Sequence, residues 1–300
     1  MPQRDWRGCF TIPMTPWDDR DRIDEEALAA EIAFCIEAGA PGLVVPVMVS
    51  EFFVLSEDER RTMIRLPLEI AAGRVPVIAN VAAVNTPLAA RYAAYAQELG
   101  AAGVIAMPPY VTRFDAQATH AYFQAISDAV TVPVWIQNAG VAALSADQVA
   151  RLCTEIEHVS WVKEEVSPST HSITALLSKN CPAIRGVMGG SAGRFMLTEW
   201  ARGSKGVVGA CEVVDVVQRV WELLDAGEPA AARDLFEKVL PALVLEGLMG
   251  MAFAKEIMVR RGVLRDHRMR GATAPLDAED LHEIDAAWAR LEPYLLWRKA

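Results

Sequence analysis

Residues 75–107 read VPVIANVAAVNTPLAARYAAYAQELGAAGVIAM, and this stretch decides the fold. It opens on an apolar run, 75–81, that never alternates with charged residues. Such a run is a strand buried on both faces, the condition of a parallel strand covered by helices. Thr86-Pro87 then starts a helical pattern, with proline at a first turn where its missing N–H costs nothing, and Gly100 stops it. A second unbroken run, 103–107, follows. Strand, helix and strand in about 30 residues make one parallel crossover unit.

The unit recurs along the chain. Apolar, β-branched runs lie at 9–13, 42–47, 75–81, 103–107, 132–137, 159–163, 185–188 and 206–210. Between them, Asp24-Glu25-Glu26 opens a helix that closes at Gly39, and Ser56-Glu57-Asp58-Glu59 forms a capping box for one that closes at Gly73. Ser145 caps the pattern over 146–156. Strict alternation predicts an α/β fold. Eight units, with no G-x-G-x-x-G after the first strand, favour a (β/α)8 TIM barrel over a doubly wound open sheet. Beyond about Val213 only helical patterns remain, at 215–226, 228–251, 252–262 and 278–291. The expected organisation is a barrel domain over residues 1–225 and a three-helix C-terminal extension over 226–300.

Composition narrows the function. The 300 residues are 52% hydrophobic, enough for a large core, and carry a formal net charge of −10. Phosphate backbones need clustered Lys and Arg, so nucleic acid is not an expected partner. Cys9, Cys35, Cys153, Cys181 and Cys211 are scattered singly, which reads as reduced thiols rather than disulfides or a zinc site. The five histidines show no metal-ligand spacing, and neither metal nor cofactor is expected. Residues 1–7 are polar and lack a signal-peptide pattern, and no apolar run approaches the roughly 18 residues of a membrane span. A cytoplasmic protein with no membrane partner fits.

In a barrel the chemistry gathers at the C-terminal ends of the strands. Those ends carry Met14, Met48 to Glu51, Asn80, Tyr110, Gln137-Asn138, Lys163-Glu164-Glu165, Gly189-Gly190 and Cys211-Glu212. Lys163 continues a buried strand. Desolvation disfavours an ammonium, and a free amine is what Schiff-base formation with a 2-oxo acid requires. Position alone equally fits a strand-end lysine paired to Glu164 or Glu165.

The order, spacing and context of three segments resemble the dihydrodipicolinate synthase and N-acetylneuraminate lyase family across essentially the whole chain. They are residues 42–60 (GLVVPVMVSEFFVLSEDER), Met107-Pro108-Pro109-Tyr110, and Val162-Lys163-Glu164. The resemblance implies a Schiff-base lysine at Lys163, a 2-oxo acid substrate and a homodimer or homotetramer, with the Pro108-Pro109-Tyr110 turn and the extension packing between subunits. Lys255 sits where such proteins often carry lysine in a C-terminal helix, and reads as structural.

The departures bear on the reaction. The family's Gly-Thr-Thr-Gly-Glu is Val47-Met48-Val49-Ser50-Glu51 here, which leaves Ser50 and the N–H groups of Met48 and Val49 to hold a substrate carboxylate. Gln137 replaces a proton-carrying phenol, Val111 a second aromatic, and a substrate-gripping arginine falls near Ala142. Dihydrodipicolinate synthesis is therefore not expected. The 2-keto-3-deoxy-pentonate dehydratases of this superfamily similarly pair Ser-Glu, Gln and Lys-x-Glu at these strand ends. They also carry a second acid after strand seven, where this chain has Gly189-Gly190-Ser191-Ala192.

Two residues along an extended strand share a face, so Glu165 reads as the acid/base beside Lys163. Glu164 reads as a solvated or ion-paired rim residue. Glu212 reads equally as a substitute acid or as a helix start, Asn80 as a substrate donor or a turn residue, and Tyr110 as a rim contact. Gly189 and Gly190 read as a backbone that a ligand approaches closely. The expectation is a class I Schiff-base lyase, a 2-keto-3-deoxy sugar acid dehydratase or aldolase. The alternative is a non-catalytic barrel that binds an oxo acid.

Overall fold

The computed structural model describes residues 5–112, 114–271 and 274–299; residues 1–4 of the polar N-terminal stretch lie outside them. Strands and helices alternate as β1 (Gly8–Ile12), α1 (Glu25–Glu37), β2 (Gly42–Val45), α2 (Glu57–Ala71), β3 (Val77–Asn80), α3 (Thr86–Glu98), β4 (Gly103–Ala106) and α4 (Ala116–Asp128). The series continues with β5 (Val134–Asn138), α5 (Ala146–Glu155), β6 (Val159–Glu164), α6 (Ser169–Leu177), β7 (Gly186–Gly189), α7 (Met196–Trp200), β8 (Gly206–Ala210) and α8 (Val214–Asp225). Then come α9 (Pro229–Met249), α10 (Met251–Arg260) and α11 (Ala278–Leu291). The strands follow one another in chain order around a closed barrel. All eight fall on the runs read from the sequence, and every residue in them is buried.

The helix starts have the chemistry expected of them. The Asp24 carboxylate accepts from Ala27 N at 2.9 Å, and Ser56 with Glu59 and Ser145 with Gln148 close reciprocal capping boxes. The third start differs slightly: Asn85, one residue before Thr86, caps α3 by accepting from Leu88 N at 2.9 Å. The α2 helix ends on Ala72 in the left-handed region, φ 47°, one residue before the expected Gly73.

The chain packs as two compact units. One comprises the N-terminal segment ending at Arg7, Pro76–Gly190 and Phe195–Val208. Its core is organised around three tryptophans. Trp135 and Trp161, register partners on β5 and β6, stack at 5.0 Å and 17°, and Trp6 leans on both at 5.3 and 5.1 Å. Burying 150–250 Å² of aromatic surface contributes roughly 4–6 kcal/mol per ring before entropy. Strand β7 yields space to the stack, because a Cβ at Gly186 would lie 2.2 Å from the Trp161 ring.

The other unit comprises Gly8–Val75, Ser191–Arg194 and Gly209–Ala300. A buried ion pair ties its helices to the C-terminal segment. Arg261 donates to both oxygens of Asp215 at 2.9 and 2.8 Å and to Glu212 O at 2.8 Å. The N–H groups of Leu296 and Trp297 also donate to Asp215, each at 2.9 Å.

Gly186→Ala therefore forces a methyl group into the Trp161 ring. The expected cost, read from urea denaturation, is about 1–3 kcal/mol, the usual size of an overpacking defect. An unchanged midpoint would show that the stack shifts freely to make room.

Candidate active site

Strand β6 delivers Lys163 as its penultimate residue, opposite Gln137 of β5. Alternation along the strands puts Gln137, Lys163 and Glu165 on one face and Asn138 and Glu164 on the other. Glu165 N donates to Asn138 O at 2.8 Å, so the pairing runs one residue past β6 and keeps Glu165 on the lysine's face. There Lys163 Nζ lies 3.1 Å from Glu165 Oε2, and Gln137 Nε2 donates to the same oxygen at 3.2 Å. The lysine side chain is 5% exposed and the glutamate 18%, so an incoming molecule meets the carboxylate first. The Trp135–Trp161 stack lies two residues earlier on the same face and makes an apolar floor.

The opposite face corrects the reading of Glu164. It is not a solvated rim residue, being 2% exposed. Its Oε2 accepts from Asn138 Nδ2 at 2.7 Å and its Oε1 from Val166 N at 2.9 Å. Asn138 in turn grips the backbone of Leu144 through both amide atoms, at 3.1 and 2.8 Å. This network fastens the chain leaving β5 to the chain leaving β6. Burial pushes the Glu164 carboxyl up to about 7, against the pull of the Asn138 and Val166 donors.

Glu199 was not singled out in the sequence. It lies in α7, fully buried, and accepts from Ser169 Oγ at 2.7 Å. Its other oxygen has no hydrogen-bond partner among the described residues. Burial pushes this carboxyl up to about 7, and the charges of Glu165 and Glu164 add to the rise. No local signal marks it: Met196-Leu197-Thr198-Glu199-Trp200 reads as an ordinary helical turn.

Asn80 ends β3 and accepts from Ala82 N at 3.0 Å, a turn-forming contact. Tyr110 stands four residues past β4, half-buried. Gly189 and Gly190 close β7 within the lysine's unit.

Val49, Ser50 and Glu212 belong to the other unit. Val49 is half-buried in a 3-10 turn over Met48–Ser50. The Ser50 hydroxyl donates its one proton to Pro13 O at 2.6 Å and accepts from Val47 N at 3.2 Å, so it ties the turn to the end of β1. Glu51 carries the heaviest load there. It accepts from Lys255 Nζ at 2.8 Å, Trp17 Nε1 at 3.0 Å, Arg270 N at 2.9 Å and Gly271 N at 2.7 Å. Burial would raise its pKa, but the Lys255 ammonium and these donors outweigh it and hold the carboxylate below its usual range. Lys255 also donates to the carbonyls of Thr15 and Arg268, which matches its structural reading. Glu212 is buried and does not cap α8; burial pushes it up to about 7.

All five cysteines are free thiols. Among the described residues no group of three His, Cys, Asp or Glu side chains is placed to hold a metal, and no helix is long and apolar enough to cross a membrane.

Comparison with known proteins gives the family of the chain. The solved 4-hydroxy-tetrahydrodipicolinate synthase of Methylacidiphilum fumariolicum SolV superposes with a TM-score of 0.89 at 23% identity, over 97% of each chain. Dihydrodipicolinate synthase from Rhodopseudomonas palustris gives 0.88 at 25% identity, over 96% of this chain and 98% of that one. L-2-keto-3-deoxyarabonate dehydratase of Azospirillum brasilense is 31% identical over 296 residues, 97% of this chain and 96% of the relative. The sequence matches the dihydrodipicolinate synthetase family over residues 5–290, and the chain belongs to that family.

The buried acids predict a pH dependence of stability. Glu164 and Glu199 go from an ordinary 4.5 in the unfolded chain to about 7 when folded, as do Glu31 and Glu212. Between those values the folded state binds more protons, so unfolding free energy falls as pH rises. The stabilisation is full below about 4.5 and lost by about 7. Carboxylates with lowered values, Glu51 among them, act below this window. The urea midpoint is expected to be higher at pH 5 than at pH 8. Glu164→Gln should remove part of that slope, at most about 3 kcal/mol for a shift of this size. A midpoint that rises from pH 5 to pH 8 would contradict the burial argument.

Proposed function

We propose that this protein is a lyase that removes water from a 2-keto-3-deoxy sugar acid through a Schiff base on Lys163, with Glu165 as acid and base. The observation that carries the reading is the contact of Lys163 Nζ with Glu165 Oε2 at 3.1 Å on one buried strand face, with Gln137 on the same oxygen. The similarity to the Azospirillum dehydratase supports the choice of dehydration.

Lys163 passes a proton to the Glu165 carboxylate in contact with it and attacks the C2 carbonyl; Glu165 returns that proton to the departing hydroxyl, so water leaves and an iminium that acidifies C3 remains. The Glu165 carboxylate takes the C3 proton, forming an enamine. The same group, now a carboxylic acid, returns the proton to the C4 hydroxyl, which departs as water. Hydrolysis of the conjugated iminium frees the lysine, and the product is the substrate less one water. Tethering to Lys163 supplies the proximity. Gln137 orients the carboxylate without titrating. Tyr110, Asn80, Gly189, Gly190, Val49, Ser50 and Glu212 are the further substrate-contact candidates. The reaction as written needs no cofactor. For assembly we hold to a homodimer or homotetramer, with exposed apolar side chains at Val111, Val141 and Leu248 available for contact.

Incubation with a 2-oxo acid and borohydride is expected to add mass at Lys163; a label mapped to Lys205 or Lys255 would overturn the site. On a panel of 2-keto-3-deoxy sugar acids, Glu165→Gln should cut turnover by about 100- to 10,000-fold while trapping persists. Wild-type turnover in that variant would remove Glu165 from the reaction. Condensation of pyruvate with aspartate semialdehyde is expected to stay at background. Sedimentation at micromolar concentration should show an oligomer, and a monomer would refute the assembly.

A further inference from the structure

Gly189 and Gly190 have no backbone reason to be glycine, since neither adopts a positive φ. Space is the reason. A Cβ at Gly190 would lie 2.3 Å from Glu165 Oε1 and 2.5 Å from Glu165 Cγ. A Cβ at Gly189 would lie 1.9 Å from Glu199 Oε2. Consecutive residues of an extended strand project to opposite faces. Two carboxyl groups therefore press on one strand end from its two sides. Glu199 is anchored by Ser169 Oγ at 2.7 Å and is otherwise enclosed, its second oxygen spent on no hydrogen bond among the described residues. A buried polar atom left so costs folding free energy, which calls for a reason other than stability.

We propose that Gly190 and Glu199 are positioning residues of the lysine site. Gly190 leaves open the volume that the Glu165 carboxylate fills beside Lys163. Glu199, packed on Gly189, holds the end of β7 from the far face so that this volume stays open. The inference rests on the Lys163–Glu165 reading above, and extends it to the residue that makes room for Glu165 and the residue packed behind it.

The test uses a readout that needs no turnover, the rate at which cyanate carbamylates Lys163 at pH 7, followed by peptide mass mapping. Cyanate is an anion, and the Glu165 carboxylate 3.1 Å from Lys163 Nζ repels it and covers the amine, so withdrawing the carboxylate speeds the reaction. Glu165→Gln sets the reference. Gly190→Ala and Glu199→Ala are expected to raise the rate towards that reference, about 3- to 10-fold, as loss of a like charge from the path of the approaching anion would. Glu199→Gln keeps the volume and an acceptor for Ser169, and should stay within about twofold of wild type and restore what Glu199→Ala loses.

The inference is overturned if Gly190→Ala and Glu199→Ala carbamylate at the wild-type rate while Glu165→Gln is faster. It is overturned equally if Glu199→Gln behaves like Glu199→Ala, or if Glu165→Gln leaves the rate unchanged. If Glu199→Ala does not fold, Gly190→Ala decides alone. Turnover measured on the same proteins separates the two readings. Normal turnover in Glu165→Gln beside the expected carbamylation pattern would remove the acid–base role and leave the positioning intact.

Discussion

The lysine site depends on the spacing of extended chain. Side chains two residues apart on a strand lie on one face, about 6–7 Å apart along it. That spacing brings the Glu165 carboxylate back to within 3.1 Å of Lys163 Nζ. The pairing of β5 with β6 does the rest, because the register that sets Gln137 opposite Lys163 also sets Asn138 opposite Glu164. A slip of one residue would exchange the faces and separate every one of these contacts. The same slip would break the stack of Trp135 on Trp161 and turn large rings to the other face. The apolar floor and the polar site thus share one constraint: the energy that fixes the ring stack also fixes the position of the carboxylate.

The fold was legible because each strand is a near-continuous apolar run and α1, α2, α3 and α5 carry start signals in the sequence. The Lys163–Glu165 pairing was legible too, because period two is a local property. The rest of the site was not local. Glu164 reads as a rim residue from its neighbours, since its partner Asn138 lies 26 positions away and only the strand register joins them. Glu199 lies ten residues past Gly189 on a helix of five residues, too short to show which side it buries. The glycines were visible but suggested an approaching ligand. The space at Gly189 and Gly190 is filled by the protein's own carboxylates. Sequence patterns report which side chains face inward; they do not report which distant side chain meets them.

The contrast between Glu51 and Glu199 shows what decides the state of a buried acid. Both are fully buried. Glu51 has four donors, one of them the Lys255 ammonium, and is held ionised. Glu199 has one donor, a hydroxyl, and is pushed up to about 7. Burial sets the penalty for charge in both cases, and the count and charge of the donors decides whether it is met. Glu164, with an amide and one N–H, follows Glu199. An apolar residue in place of either would cost less at neutral pH. What an apolar residue would not do is accept from Asn138 and Val166, or from Ser169. Those bonds set where the chain turns after β5 and β6 and where α6 begins. The far face of the strand wall carries these weakly supported acids, and the near face carries the lysine whose neighbours they hold in place.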